Sequence, residues 1–484
     1  MKELFSKLAN SSVIMSWLNL MSKTLGLFIL TPLIITNYSS EEVVIWYITI
    51  TMTMIILMFD FGFTPTVIRY LIFSKENINS KKVDCKRIKV EGLVLPGARL
   101  LEYTHSIINK LYFRISIMAL FSSIVLGGIY FNGFISSRDD EFLYWIAWII
   151  FSICISIRLW ANKNIAILQS YQHYALTQRL MMIGNLIGIT FAILSVLVGF
   201  ELPYVIIVFQ IFSSYYVYTI FKNKHKLDDI PKTIVNSVNS DGDYKKLSKS
   251  ILLTSFKSGT GILLSTGVFQ VSILAMAKAY EPSVSASYMF MVQVIRSIGS
   301  FTQVPFYAKI PKFNEIYHKN IERSALSKDI MLADMKALIL MFFGCIIFGL
   351  YISSPFDIWT SIVQKQYLDL WLLLSIAFLI ERQGAIKVQI YSITNHVVWH
   401  YLNGFTGIIF LVLLYIIFGL DYIYSFPISI ILSYSLIYYP ISVFLAGKVI
   451  DKRQLSVQVI LMFLIVLVLF LWYYYEVFNN ISNL

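Results

Sequence analysis

Phe59-Asp60-Phe61-Gly62-Phe63-Thr64-Pro65-Thr66-Val67-Ile68-Arg69-Tyr70 closes an apolar run that begins near Val43. It sets an acid, a glycine, a proline and an arginine at membrane depth or at the inner edge of the membrane. A charge in a hydrocarbon-embedded helix costs about 2.5–3.5 kcal/mol on insertion scales, so a chain that keeps several has a use for them. Gly62 and Pro65 loosen the backbone, which is tolerated where a helix lines a protein cavity. Two readings of Arg69 stand: it faces such a cavity, or it snorkels to the inner interface from a kinked packing helix.

Working outward, composition sets the class. Hydrophobic residues make up 57% of the 484 positions and charged ones 14%, where a soluble chain carries roughly a quarter charged residues. The mean hydropathy is +0.71. The apolar runs are continuous and near spanning length, not alternating, which excludes a transmembrane barrel. The fold class is therefore an all-α polytopic membrane protein. The net charge of +12 sits in short loops between apolar runs, so it reports topology under the positive-inside rule, with no nucleic-acid partner. Cys85 falls in a basic loop, Cys154 and Cys345 inside apolar helices, and they form neither a disulfide nor a metal set. Met1–Asn10 is short and basic, and the run after it reaches full spanning length through Lys23, so the first helix is retained.

Twelve helices and an extra one are expected in order: Ser12–Thr36, Val43–Phe73, Leu111–Phe131, Phe142–Gln169, Leu180–Phe200, Pro203–Phe221, Ser250–Ala277, Ser283–Tyr307, Ala333–Ser353, Gln366–Ile393, His400–Gly419, Ser425–Gly447 and Val457–Tyr475. Pro203 and Pro427 open helices, where proline is harmless. The basic loops Ser74–Asn109, Phe221–Lys249 and Ala308–Lys328 share the side of the N-terminus, taken as cytoplasmic. Part of the first, Gly92–Leu101, reads as an amphipathic piece on the membrane surface. The acidic turns Asn37–Glu42 and Asp139-Asp140-Glu141 fall on the other side.

The halves read as copies: residues 1–221 form one six-helix lobe, 222–249 a basic linker, 250–449 a second lobe, and 450–484 an extra helix and tail. One spacing carries His173, Gly184 and Arg158 onto His396, Gly407 and Glu381, and Lys23…Gly26 is echoed by Lys257…Gly261. Six helices per lobe make the repeats parallel, related by a pseudo-two-fold axis along the membrane normal.

The D-F-G…R-Y ending of helix two, the duplicated six-helix lobe, the short external turns and the long basic linker together resemble polysaccharide flippases. These are the O-antigen or Wzx type of the multidrug/oligosaccharidyl-lipid/polysaccharide exporter superfamily, and the likeness covers roughly Met1 to Lys448. It implies two bundles around a central cavity that opens alternately to each side of a bacterial inner membrane. The implied cargo is a repeat-unit oligosaccharide on undecaprenyl pyrophosphate, destined for O-antigen, lipopolysaccharide or capsule. A polysaccharide polymerase and a chain-length regulator are the implied protein partners, membrane lipids the surroundings, and no cofactor is called for. The thirteenth apolar run departs from that pattern.

Among the charges within the expected helices, the cations singled out are Lys23, Arg69, Arg158, Lys163, Lys257, Arg296, Arg382 and Lys387, and the acids Asp60 and Glu381. Arg69, Lys163 and Lys387 lie toward the inner ends and either snorkel or face a cavity. Lys23, Arg158, Lys257, Arg296 and Arg382 are the expected substrate-binding cations, with Asp60 and Glu381 as coupling or charge-balancing acids. A cationic cavity suits a diphosphate, which arginine grips bidentately and lysine as a point charge. Ser297, Gly299 and Ser300 read as small residues giving the Arg296 head room. Two rivals remain. A cation-coupled drug antiporter of the same superfamily needs buried acids, and a membrane O-antigen polymerase needs a large external loop. No catalytic or metal constellation is visible, and His105, His173 and His396 read as solvated.

Overall fold

The computed structural model describes residues 11–60, 62–85, 93–136, 138–224, 242–307, 309–310, 313, 316–317, 323–353, 367–394, 398–418 and 423–482. The described chain is helical save one small hairpin, and ten of its helices are long and apolar enough to cross a membrane. It divides into two compact units, Met1–Leu263 and Leu264–Leu484.

In the first unit, α1 (Ser12–Leu25) passes through a π-helical turn, Gly26–Leu30, into Thr31–Asn37. Next comes α2 (Ser40–Leu57), opened by a capping box in which Ser39 and Glu42 exchange hydrogen bonds. The helix expected to run through to Phe73 breaks: a 3-10 turn, Met58–Asp60, leads to Gly62 at φ 65°, and α3 (Phe63–Glu76) restarts the spiral. Glycine takes a left-handed backbone without a Cβ penalty, so Gly62 is where a sharp break is cheapest.

Among its described residues, the loop after α3 forms a strand pair that leads straight into the next helix, which takes in the end of the expected amphipathic piece Gly92–Leu101. Val83–Asp84 (β1) and Val94–Leu95 (β2) pair antiparallel, and α4 (Gly97–Ser122) starts at once; Gly92 itself lies outside the described residues. A Cβ on Gly97 would fall 1.7 Å from the Asn77 carbonyl oxygen. The hairpin packs Val83, Cys85 and Leu95 against Tyr70, Leu100 and Tyr103, joined by Leu247 and Ile251 of α9 (Gly242–Ile262). The chain between α4 and α9 supplies α5 (Glu141–Ser170), α6 (Tyr174–Leu197), α7 (Leu202–Ser213) and α8 (Tyr215–Lys224). Gly188 brings α6 against α7, since a Cβ there would lie 2.5 Å from that of Ser213. The drawn linker 222–249 lies largely outside the described residues, and the contact division falls instead at Leu263, because α9 packs on α3 and α4.

The second unit begins in a π-helical turn, Leu263–Gly267, and holds α10 (Val268–Ala279), α11 (Pro282–Thr302), α12 (Arg323–Ser353), α13 (Leu368–Ser392), α14 (Trp399–Phe418), α15 (Ser425–Ser433), α16 (Tyr439–Ala446) and α17 (Lys452–Ser482). Phe269 centres an aromatic core with Phe378, Phe410, Phe426 and Tyr434, ring centroids 5.2–6.3 Å apart. The extra helix α17 is part of this unit. The Trp472 ring fills the place a Cβ on Gly349 would take, and the Ser327 hydroxyl bridges Gln454 and the Asp451 amide. Helix α12 starts at Arg323, earlier than the expected Ala333, which sets Asp334 well inside it.

Candidate functional site

Arg296 lies about two-thirds of the way along α11 and Glu381-Arg382 just past the middle of α13, and the second unit brings them together. The Arg382 side chain runs along Gly299, whose Cβ would sit 3.3 Å from Arg382 Nε. Gly299 therefore seats Arg382, not Arg296 as its place in sequence implied. Ser297 and Ser300 hydrogen-bond back to the carbonyls of Gln293 and Arg296 on their own helix. Arg382 Nε is 2.8 Å from Glu381 Oε2, and the two atoms make an ion pair without an aligned hydrogen bond. Arg296 faces Gln270 of α10; with the amide oxygen turned toward the guanidinium, Gln270 accepts from Nη1 and, at 3.2 Å, from Nη2. Tyr307, Tyr434 and Tyr438 lie within electrostatic reach of the Glu381–Arg382 pair. Gly384, one turn on, leaves room for the Tyr438 ring, 2.5 Å from where a Cβ would be. Two guanidinium groups against one carboxylate leave a cationic cluster framed by hydroxyls and an amide.

The other expected site residues are placed differently. Lys23 is exposed on α1, one turn from a buried amide network. There Asn19 donates to Gln178 at 2.7 Å, and Asn185 donates to Asn19 at 3.1 Å and to Ser22 at 3.2 Å. Arg158 on α5 donates to Ser214 Oγ and to the Gln210 carbonyl, both at 2.9 Å, and to Ser213 Oγ. It thereby satisfies the carbonyl end of α7 where that helix gives way to α8. Lys257 is on α9, with its side chain outside the described part. Asp60 accepts from the Thr64 amide at 3.3 Å and from its hydroxyl at 3.1 Å, and that hydroxyl meets Tyr112 at 2.8 Å. It caps the restarted helix α3, while Arg69 is exposed farther along it.

Three readings are corrected. Lys387 does not snorkel: it is 0% exposed, ion-paired with Asp334 of α12 and 2.6 Å from Gln458 Oε1 of α17. Asp334, inside the expected run Ala333–Ser353, was absent from the acids named there. Lys163 is buried as well, its Nζ 4.0 Å from the centre of the Trp160 ring. His105 is buried inside α4 and not solvated, whereas His173 is exposed; His396 lies outside the described residues. Arg138, which the sequence reading passed over, gathers Glu41, Glu42 and Asp140 at 3.2–3.4 Å on the acidic side.

No protein-family model matches the sequence, and no curated protein sequence does. Solved structures do match. An inward-facing multidrug resistance MATE family transporter of the MOP superfamily superposes with a TM-score of 0.60 at 12% identity, over 90% of this chain and 98% of its own. The lipid II flippase MurJ, in an inward closed conformation, gives 0.60 at 16% identity over 97% and 100%. The MATE multidrug transporter DinF-BH gives 0.57 at 13% over 93% and 96%. A MOP superfamily transporter from Pyrococcus furiosus, described as having a binding pocket of reverse polarity, gives 0.50 at 12% over 93% and 96%. This multi-pass chain has the fold of the MOP superfamily transporters.

Proposed function

We propose that the chain translocates a lipid-anchored anionic headgroup across a bacterial inner membrane. The cargo in this reading is an undecaprenyl-pyrophosphate-linked oligosaccharide bound for surface polysaccharide, and the chain is a carrier, not an enzyme. The observation that carries the reading is the Arg296–Arg382 pair, set within the helices against one carboxylate. Guanidinium forks match phosphate oxygens bidentately, and tyrosines offer ring faces and hydroxyls to a sugar. One structural neighbour is a lipid II flippase and another is described as having a pocket of reverse polarity, both in keeping with an anionic cargo on this fold. The rival, a cation-coupled drug antiporter like the MATE neighbours, needs an uncommitted acid. Asp60 caps α3 and Asp334 holds Lys387, while Glu381 is outnumbered by the two arginines beside it.

Liposomes reconstituted with the purified protein and a fluorescent undecaprenyl-pyrophosphate glycan read translocation as loss of the quencher-protected fraction. The wild type should transport, Arg296→Gln should express normally and fail, and Arg296→Lys, which keeps charge but loses the fork, should be partly active. Normal transport by a well-expressed Arg296→Gln protein refutes the assignment.

A further inference from the structure

We propose that Glu381 is a built-in competitor for the cargo's diphosphate: it occupies Arg382 while the site is empty and is displaced when the anion arrives. This rests on the anionic-cargo reading above. The two arginines of the site are held in unlike ways. Arg296 faces the neutral amide of Gln270, a weak rival to phosphate. Arg382 faces a full negative charge at 2.8 Å, supplied by the residue before it in sequence.

Three features mark that charge as displaceable. The contact lacks hydrogen-bond alignment, so the pair holds by charge attraction alone. Each side chain is partly exposed, Glu381 14% and Arg382 25%, although the two contacting atoms are themselves buried. Successive helix positions point about 100° apart, so the contact joins two side chains that leave α13 in different directions and is not fixed by the helix itself. The carboxylate also has somewhere to go: Tyr434 and Tyr438 stand within its electrostatic reach and can donate their hydroxyls to it.

The consequence lies in release. A carrier's site must bind well enough to load and weakly enough to unload. Two bare guanidinium groups would hold a diphosphate in both orientations of the carrier. A tethered carboxylate that re-enters as the anion leaves lowers affinity evenly and quickens departure, with no proton transferred and no bond made.

Inorganic pyrophosphate, titrated calorimetrically into the purified full-length protein, tests the idea without any lipid-linked cargo. Glu381→Gln removes the competitor at equal size and should tighten pyrophosphate binding about tenfold, toward the lower end of energetic coupling between linked groups. Arg382→Gln should weaken it, and in the Arg382→Gln background Glu381→Gln should give no gain. The double variant Tyr434→Phe/Tyr438→Phe deprives the displaced carboxylate of its second seat and should weaken binding, a check that holds even where Glu381→Gln misfolds. Unchanged or weaker binding by a folded Glu381→Gln protein overturns the proposal, as does a gain that persists without Arg382, which would be a diffuse charge effect. Should the Glu381 pattern appear in pyrophosphate titrations while lipid-linked glycan is not moved, the cargo assignment falls and the competitor stands.

Discussion

Removing the Asp334 carboxylate should cost this fold more than any other single charge deletion in the second unit. Lys387 is 0% exposed and Asp334 1%, with Gln458 the second acceptor on the ammonium. Asp334→Ala strands a buried ammonium with one neutral acceptor, and breaking such a pair from one side costs about 3–5 kcal/mol. That is a large share of the roughly 5–15 kcal/mol that holds a domain folded. Replacing both charges with apolar groups of similar volume, Asp334→Leu with Lys387→Met, should recover most of the loss, since two solvation penalties vanish with the one attraction. Equilibrium unfolding of the purified protein in detergent, read for the four members of the cycle, gives the coupling directly. Additive losses, agreeing within about 0.5 kcal/mol, would show that the two groups are not energetically paired and would refute the reasoning.

Asp60→Asn should keep the cap on α3 and leave stability within a few tenths of a kcal/mol, while Asp60→Ala should lose about 1 kcal/mol; transport lost by Asp60→Asn at unchanged stability would instead show that the carboxylate's charge has a coupling role. Burial, seconded by the carboxylates of Asp84 and Asp243, pushes the Cys85 thiol up from 9.0 to about 11. Because the folded state holds the thiol protonated, its contribution is full below pH 9 and falls as the pH climbs toward 11. Maleimide at about pH 8 should therefore modify Cys85 far faster in denatured than in native protein, as peptide mass spectrometry will show; equal rates would place Cys85 outside the hairpin core. Gly97→Ala drives a Cβ into the Asn77 carbonyl, so a backbone shift and a loss of about 1–3 kcal/mol are expected. An unchanged melting temperature would mean that the hairpin does not tie α3 to α4.

Much of this was legible in the chain, and what was not shares one cause. The long apolar runs give helices wherever water is absent, because a lipid-embedded backbone has no other way to satisfy its amides, and all thirteen expected runs contain described helix. Gly62 and Pro65 announced a loosened helix two, and the break falls beside Gly62. Partners, by contrast, are set by packing between residues far apart in sequence. Lys387 read as either a snorkelling end or a cavity cation because its acid and its amide sit 53 and 71 positions away, on α12 and α17. Gly299 read as room for the arginine three residues before it, yet it seats one from another helix. The thirteenth run could not be read as part of the second unit until its Gln458 and Trp472 were seen to meet α13 and α12.

Partnering also changes what the surplus of cations means. A count along the sequence treats every charge in an apolar run as available to a cargo. Arg158 is taken up by the end of α7, Lys163 lies against an indole and Lys387 is neutralised by Asp334. A guanidinium that satisfies helix carbonyls, or an ammonium inside a buried ion pair, cannot turn to a ligand without leaving an orphaned group behind, which costs about 1–3 kcal/mol or more. Arg296 and Arg382 differ in kind: one faces a neutral amide, the other an unaligned carboxylate, and an incoming phosphate improves on both. The case for an anionic cargo therefore does not grow with the number of membrane-embedded cations. It rests on the two whose present partners are the easiest to replace.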